Sequence, residues 1–297
     1  MKAALPRVPF LAGADAGSIS RLGGLTNRNF LVEHDGGRYV LRLPGVGTEE
    51  YIGRVAEAVA AQTTAAIGIN VPVLHFDASD GLMVTRFADD AETLTSKHFD
   101  DPECIARVAR SLRRLHTAPF RLARDFGLFD MIDTYRELIV RKGAPLFTGL
   151  DAVQAHAAVV RAALEADPVP MVPCHCDLVC ENLLDTGEHV YVIDYEYSGN
   201  NDPMWDLGDL STEAGFDPSQ EDALLHAYFD GPPPAVQRAR MVMYKAMCDL
   251  LWSLWGIINH VNGNPTDDYW AYGLARFERC RALMASSGFA AHLDVLR

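Results

Sequence analysis

In the amino-terminal third of the chain, apolar and polar positions alternate in short runs. Residues 18–22, 28–33 and 38–43 follow a period of two, as do residues 71–76 and 82–87. Turn-prone stretches separate neighbouring runs: Gly23-Gly24-Leu25-Thr26-Asn27, His34-Asp35-Gly36-Gly37 and Asp77-Ala78-Ser79-Asp80-Gly81. Residues 49–67 instead repeat their apolar positions at helical spacing. The pattern predicts a small five-stranded antiparallel lobe with one main helix, residues 1–88, ending at the polar stretch 88–92. After Pro102 the period becomes that of helices, over residues 105–116, 132–140, 151–166, 202–214, 218–229, 235–262 and 268–286. One apolar run among them, residues 190–193, reads as a strand. The expectation is an α+β chain of two lobes, the second spanning residues 89–297 and mostly helical.

Composition narrows the partners. The chain has 297 residues, 49% of them hydrophobic, enough for two cores. Forty acidic against 26 basic residues give a formal charge of -14, which argues against a nucleic-acid or anionic-membrane partner and leaves room for a cationic small molecule. An anionic ligand would then need local positive charge. No apolar run approaches the roughly 18 residues of a membrane span. The opening MKAALPRVPFLAGA imitates a signal peptide, but Pro6, Arg7 and Pro9 interrupt it, so a cytoplasmic location is expected. Six cysteines fit reduced thiols better than a disulfide framework. Cys174, His175, Cys176 and Cys180 crowd together, yet their spacing is wrong for a zinc knuckle and no second cluster completes four ligands.

The chemistry concentrates in residues 173–197, PCHCDLVCENLLDTGEHVYVIDYEY. His175, Asp177 and Asn182 fit the order His-x-Asp-Leu-x-x-x-Asn of a kinase catalytic loop, and Asp194 follows twelve residues after Asn182, at the end of the predicted strand. Phosphoryl transfer to a hydroxyl needs a base or positioner, a divalent metal on the phosphates and cations or N–H dipoles against developing charge. Asp177 suits the first task; Asn182 and Asp194, with Glu196 on the same strand face, suit Mg²⁺. Arg42 on the third predicted strand would neutralise phosphates of ATP and pair with Glu57 of the predicted helix, or the two are solvated surface charges. The turn holding Gly23, Gly24, Thr26 and Asn27 would offer backbone N–H groups to phosphate, although an ordinary hairpin uses the same residues. Arg124-Asp125-Phe126-Gly127 spells the Asp-Phe-Gly triplet of protein kinases, but it precedes the loop it would have to follow and reads as a helix-flanking turn. His116 reads as a packing or capping residue.

The segments GGLTNRNFLV, YVLRLPG, RVAE, HCDLVCENLL, VIDYEYSGNNDPMWDLG, LLWSLWG and DYWAYGLARF together resemble the choline/ethanolamine kinase branch of the aminoglycoside-phosphotransferase-like kinases, over residues 23–277. The resemblance implies a protein-kinase-like fold, ATP and Mg²⁺ as cofactors, and arginine where other kinases have the strand lysine, which accounts for Arg42. Tyr195 stands where the family has phenylalanine, a conservative change. It further implies that Asp206 braces the catalytic loop, that Trp252, Trp255 and Tyr272 line an amino-alcohol pocket, and that Glu213 holds the position of a nearby carboxylate. A quaternary ammonium cannot donate hydrogen bonds and is best held by aromatic faces. The expected activity is therefore ATP-dependent phosphorylation of choline, with ethanolamine, an aminoglycoside or another amino alcohol as alternatives. A non-catalytic nucleotide- or choline-binding protein of the same fold is the competing class.

Overall fold

A computed structural model describes residues 3–23, 27–45, 52–264 and 266–297. Strands β1 (Ile19–Arg21), β2 (Arg28–His34), β3 (Gly37–Leu43), β4 (Val73–Asp77) and β5 (Leu82–Arg86) form one antiparallel sheet in the order β1-β2-β3-β5-β4. The register pairs Arg42 with Asn29 on one side and Met83 on the other, so Arg42 sits in the central strand with its backbone fixed from both flanks. Helix α1 (Arg54–Ala66) falls within the predicted segment.

One face of the sheet buries Val32, Leu41, Leu43, Leu82 and Val84 against Leu5, Val8 and Leu11. The stretch that imitates a signal peptide is thus part of this core. Pro6 and Pro9 open two short 3₁₀ turns, where a missing N–H costs nothing. Arg7 between them pairs with Asp77 and Asp80 of the β4–β5 turn, each at 2.6 Å.

The remaining chain builds on helices α2 (Pro102–His116), α3 (Leu128–Arg141), α4 (Leu150–Ala166), α5 (Pro203–Ala214), α6 (Pro218–Phe229), α7 (Ala235–Val261), α8 (Tyr269–Met284) and α9 (Ser287–Val295). Its core also takes in Ile52, Ala60 and Ile69 from the amino-terminal part, and Val192 N–H donates to the Ile69 carbonyl at 2.9 Å. Where the pattern predicted one last helix, Ser286 caps a second, its Oγ accepting from Phe289 N–H. Short strands β6 (Glu92–Thr93), β8 (Leu183–Asp185) and β9 (Val190–Val192) pair in that order, and β7 (Val172–Cys174) pairs with β10 (Gly199–Asn201). Runs of two or three residues are too short to leave a periodic signal, and β9 shows only as an apolar run.

Helix α7 is long and apolar enough to cross a membrane, contrary to the expectation from the sequence, but 83% of its most apolar window is buried within the fold. It packs on α8 at two glycines: a Cβ on Gly256 would fall 2.8 Å from the Gly273 Cα. That close approach sets Trp255 of α7 beside Tyr269 and Tyr272 of α8. Trp255 meets these two tyrosines edge-on, at 5.3 and 5.8 Å between ring centres.

Candidate active site

Strand β7 delivers the loop that starts at His175, and α5 holds it. Pro203 at the first turn and the Asp202 side chain accepting from Met204 N–H fix where α5 begins. One turn in, Asp206 accepts N–H groups from His175 and Cys176 at 2.8 and 2.9 Å and also meets His116 Nε2 at 2.9 Å. His116 in turn reaches the Tyr228 hydroxyl, so it is a buried packing and hydrogen-bonding residue, as read from the sequence. Three residues further along the same helix face, Asp209 accepts from Leu178 N–H at 2.6 Å. Two carboxylates one turn apart therefore clamp the backbone on either side of Asp177. Cys176 takes a left-handed conformation, φ 69°, that a non-glycine residue holds only when its surroundings fix it.

Asp177 is half-buried, and its carboxyl is pushed well above the usual carboxylate range, first by loss of water and then by the charges of Asp209, Asp194, Glu196 and Glu213. Asn182 closes the loop, its Nδ2 donating to the Asp177 carbonyl at 2.9 Å. That leaves the amide oxygen of Asn182 as a neutral hard donor. His175 is buried, with Nε2 2.8 Å from the Ile193 carbonyl, and burial lowers its pKa. It ties the loop to the segment carrying Asp194.

Asp194 lies just past β9 with φ 66°, so the strand alternation expected to align it with Glu196 has already ended. Their approach is made by partners instead. Asn27 Nδ2 donates to Asp194 Oδ2 at 3.3 Å and to Glu196 Oε2 at 3.2 Å, while its Oδ1 accepts from Gly45 N–H. Arg42 donates to Asp194 Oδ1 at 2.9 Å and to Glu57, whose other oxygen accepts from Arg54 at 2.7 Å. Arg54 also lies 3.4 Å from Glu196. Carboxylate oxygens of Glu57, Asp194 and Glu196 come within 4.8 Å of one another, a hard-oxygen set of the kind Mg²⁺ takes. Burial and the charge of Asp194 push the Glu196 carboxyl up to about 7.

Arg42 and Glu57 are buried and paired, which removes the alternative of two solvated surface charges. Gly23 is exposed, its carbonyl accepting from Asn29 at 3.0 Å. Gly24 and Thr26 lie outside the described residues. Asn27, grouped by sequence with that turn, is buried on the two carboxylates. The Asp-Phe-Gly look-alike flanks α3, and its neighbour Arg124 donates to the carbonyls of Ser198 and Glu196, bracing the segment after Asp194.

On α7, Trp252 is buried, edge-on to Tyr197 at 5.1 Å and to Trp255 at 6.3 Å. Burial raises the pKa of the Tyr272 hydroxyl, and the charges of Glu213 and Asp177 add to it, so this ring stands within electrostatic reach of Asp177. Glu213 is not free: Arg276 of α8 takes both its oxygens, at 2.6 and 2.7 Å, and lies over the Tyr272 ring at 4.5 Å. Arg279 holds Asp249 in the same way, with Nε 2.6 Å from Oδ2. Sequence reasoning assigned no role to Asp209 or Arg276. Their signal was helical spacing, three residues after Asp206 and four after Tyr272.

Comparison with known proteins identifies the family. A family model described as phosphotransferase enzyme family matches residues 18–242. A choline/ethanolamine kinase family protein from Mesorhizobium loti is 45% identical, with a TM-score of 0.91 over 100% of this chain and 97% of that one. The choline kinase LicA from Streptococcus pneumoniae is 30% identical, with a TM-score of 0.83 over 96% and 98%. Ethanolamine kinase 2 of Rattus norvegicus is 27% identical over 286 residues, covering 86% of this chain and 73% of the relative.

Proposed function

The chain belongs to the phosphotransferase enzyme family, in its choline/ethanolamine kinase branch, and on that premise we propose that it transfers the γ-phosphoryl group of ATP to the hydroxyl of choline, giving phosphocholine and ADP. Family membership carries the coarser statement, a kinase with an alcohol as acceptor. The support for phosphoryl transfer in this chain is the meeting, at Asp194, of Arg42 from β3 and Asn27 from the turn before β2, one loop away from the Asp177–Asn182 pair.

In the proposed reaction the acceptor oxygen attacks the γ-phosphorus in line. The bond to the β-phosphate oxygen breaks, and the hydroxyl proton passes to Asp177. A carboxyl raised by burial is a stronger base than an ordinary aspartate, and a cationic acceptor beside it favours the ionised form. Mg²⁺ would be held by Asn182, Asp194 and Glu196 and would neutralise phosphate charge. Arg42, oriented by Glu57, faces the same phosphates; Gly23, Gly24, Thr26 and Asn27 are assigned to them from the sequence.

Trp252, Trp255 and Tyr272 form the acceptor pocket, with Glu213 in its wall rather than as a free counter-charge. The cluster of aromatic edges and faces supports choline over ethanolamine, because a primary ammonium needs two or three acceptors and the Glu213 oxygens are already taken by Arg276. Ethanolamine is the second reading, and other amino alcohols or aminoglycosides the third. A coupled ADP-release assay over choline, ethanolamine and aminoglycosides with Mg²⁺-ATP tests this. Turnover fastest on choline is expected; preference for ethanolamine would replace the acceptor. Nucleotide binding without ADP release would return the chain to the class of non-catalytic binding proteins.

A further inference from the structure

The acceptor side of the site holds four acidic side chains, Asp177, Asp209, Glu213 and Asp249, and two guanidiniums, those of Arg276 and Arg279. The cations are not shared evenly. Arg276 is committed to Glu213 through two bonds, and Arg279 to Asp249 through two more. Arg276 also approaches Asp249, at 3.5 Å. Among the described residues no lysine, arginine or histidine pairs with Asp209, although it is fully buried. Its only partners there are the Leu178 N–H at 2.6 Å and the Cys248 thiol, which donates to Oδ1 at 3.0 Å. A buried carboxylate with no cation is costly unless something else supplies the charge.

The position of Asp209 says where that charge would come from. Through Leu178 it is one peptide from Asp177, and through Cys248 it touches α7 one turn before Trp252. The uncompensated charge therefore lies between the base and the aromatic pocket. We propose that Asp209, rather than Glu213, is the counter-charge that selects a cationic acceptor, acting through space on an ammonium held by Trp252, Trp255 and Tyr272. A trimethylammonium makes no hydrogen bond, so it does not need a carboxylate in contact; it responds to the field of a buried one, where water does not screen it. This rests on the amino-alcohol reading above.

The test compares choline with 3,3-dimethylbutan-1-ol, which has the same shape and hydroxyl but carbon in place of the charged nitrogen. The variant is Asp209→Asn, which keeps an oxygen for the Leu178 N–H and removes the charge. The comparison is made at about pH 8, above the value of about 7 to which burial pushes the Asp209 carboxyl. Whatever loosening the loop costs on both alcohols, the KM for choline should rise in the variant about tenfold relative to that for the uncharged alcohol. Equal losses on both alcohols, or no loss on either, overturn the proposal, the first by making Asp209 only a brace of the loop. If the variant does not fold, calorimetry on the unaltered protein decides: choline bound at least tenfold tighter than its uncharged isostere is the expected result, and equal affinities overturn it. Should the unaltered protein phosphorylate no amino alcohol, the acceptor reading itself fails and the assignment to Asp209 falls with it.

Discussion

Two groups of carboxylates flank Asp177, and they balance charge in different ways. On the phosphate side each guanidinium bridges two acids: Arg42 joins Glu57 to Asp194, and Arg54 joins Glu57 to Glu196. Asn27 ties the last two together. On the acceptor side each guanidinium holds one acid in two bonds, Arg276 with Glu213 and Arg279 with Asp249, and Arg276 also approaches Asp249 at 3.5 Å, but none reaches Asp177 or Asp209 among the described residues. Sharing spreads the deficit over the whole first group, where metal and phosphate would exchange with protein cations. In the second group both guanidiniums serve Glu213 and Asp249, which leaves the deficit on Asp177 and Asp209. The same residue types thus give a site for a polyanion with its metal on one side and for a single cation on the other.

The largest expected effect falls on the residue between the two groups. Asp177→Asn should lower kcat by about 10²–10⁴-fold, with ATP affinity measured by calorimetry unchanged within about twofold. A variant retaining activity within tenfold would move the base elsewhere and leave the two groups without a common centre. Next comes the bridged side. Arg42→Ala strands the buried Glu57 and the half-buried Asp194 and should cost about 3–5 kcal/mol in urea unfolding. A loss under about 1 kcal/mol would mean that Arg54 alone carries the group, and the contrast drawn above would not hold.

How much of this was legible follows the same divide. Asp177, Asn182 and Asp194 lie in one stretch at spacings that the chemistry fixes, and the five strands and most helices announce themselves by period. What the pattern cannot carry is pairing between distant helices. Arg276 lies 63 residues from Glu213, so the carboxylate seemed free for a substrate. Asn27 was grouped with the glycines beside it, whereas its amide reaches Asp194 across 167 residues. The alternation thought to align Asp194 with Glu196 fails because Asp194 turns left-handed. The opening apolar stretch gives no sign of its partners, because Val32, Leu41 and Leu82 are sheet residues remote in sequence.

The concentrated deficit makes a claim about pH. Burial, and then the charge of Glu213, push the Asp209 carboxyl from 3.8 up to about 7. The folded state therefore holds this proton more tightly than the unfolded chain does. The stabilisation is complete below pH 3.8 and is lost as pH rises through about 7. Unfolding measured without ligand at pH 5 and pH 8 should show the unaltered protein losing about 2–4 kcal/mol more over that interval than Asp209→Asn. Equal losses would mean that Asp209 is compensated within the protein, and the two sides would then balance charge alike.

The smallest effect sharpens the comparison at the aromatic wall. Trp252 touches Tyr197 and Trp255 edge-on, so truncation removes packing as well as a ring face. Packing loss alone would destabilise the fold, and a rise in the KM for choline after Trp252→Ala would not by itself separate the two contributions. Trp252→Phe does, because it keeps an aromatic ring and much of the contact while weakening the attraction for a cation. If that wall holds an ammonium, the cost in choline binding should be about 0.5–2 kcal/mol for alanine and a fraction of that for phenylalanine, with KM for ATP unmoved in both. A KM for choline that does not change in the alanine variant would return Trp252 to the core. Asp209 would then remain as the cation-selecting feature on that side, with no ring at Trp252 to hold what it attracts.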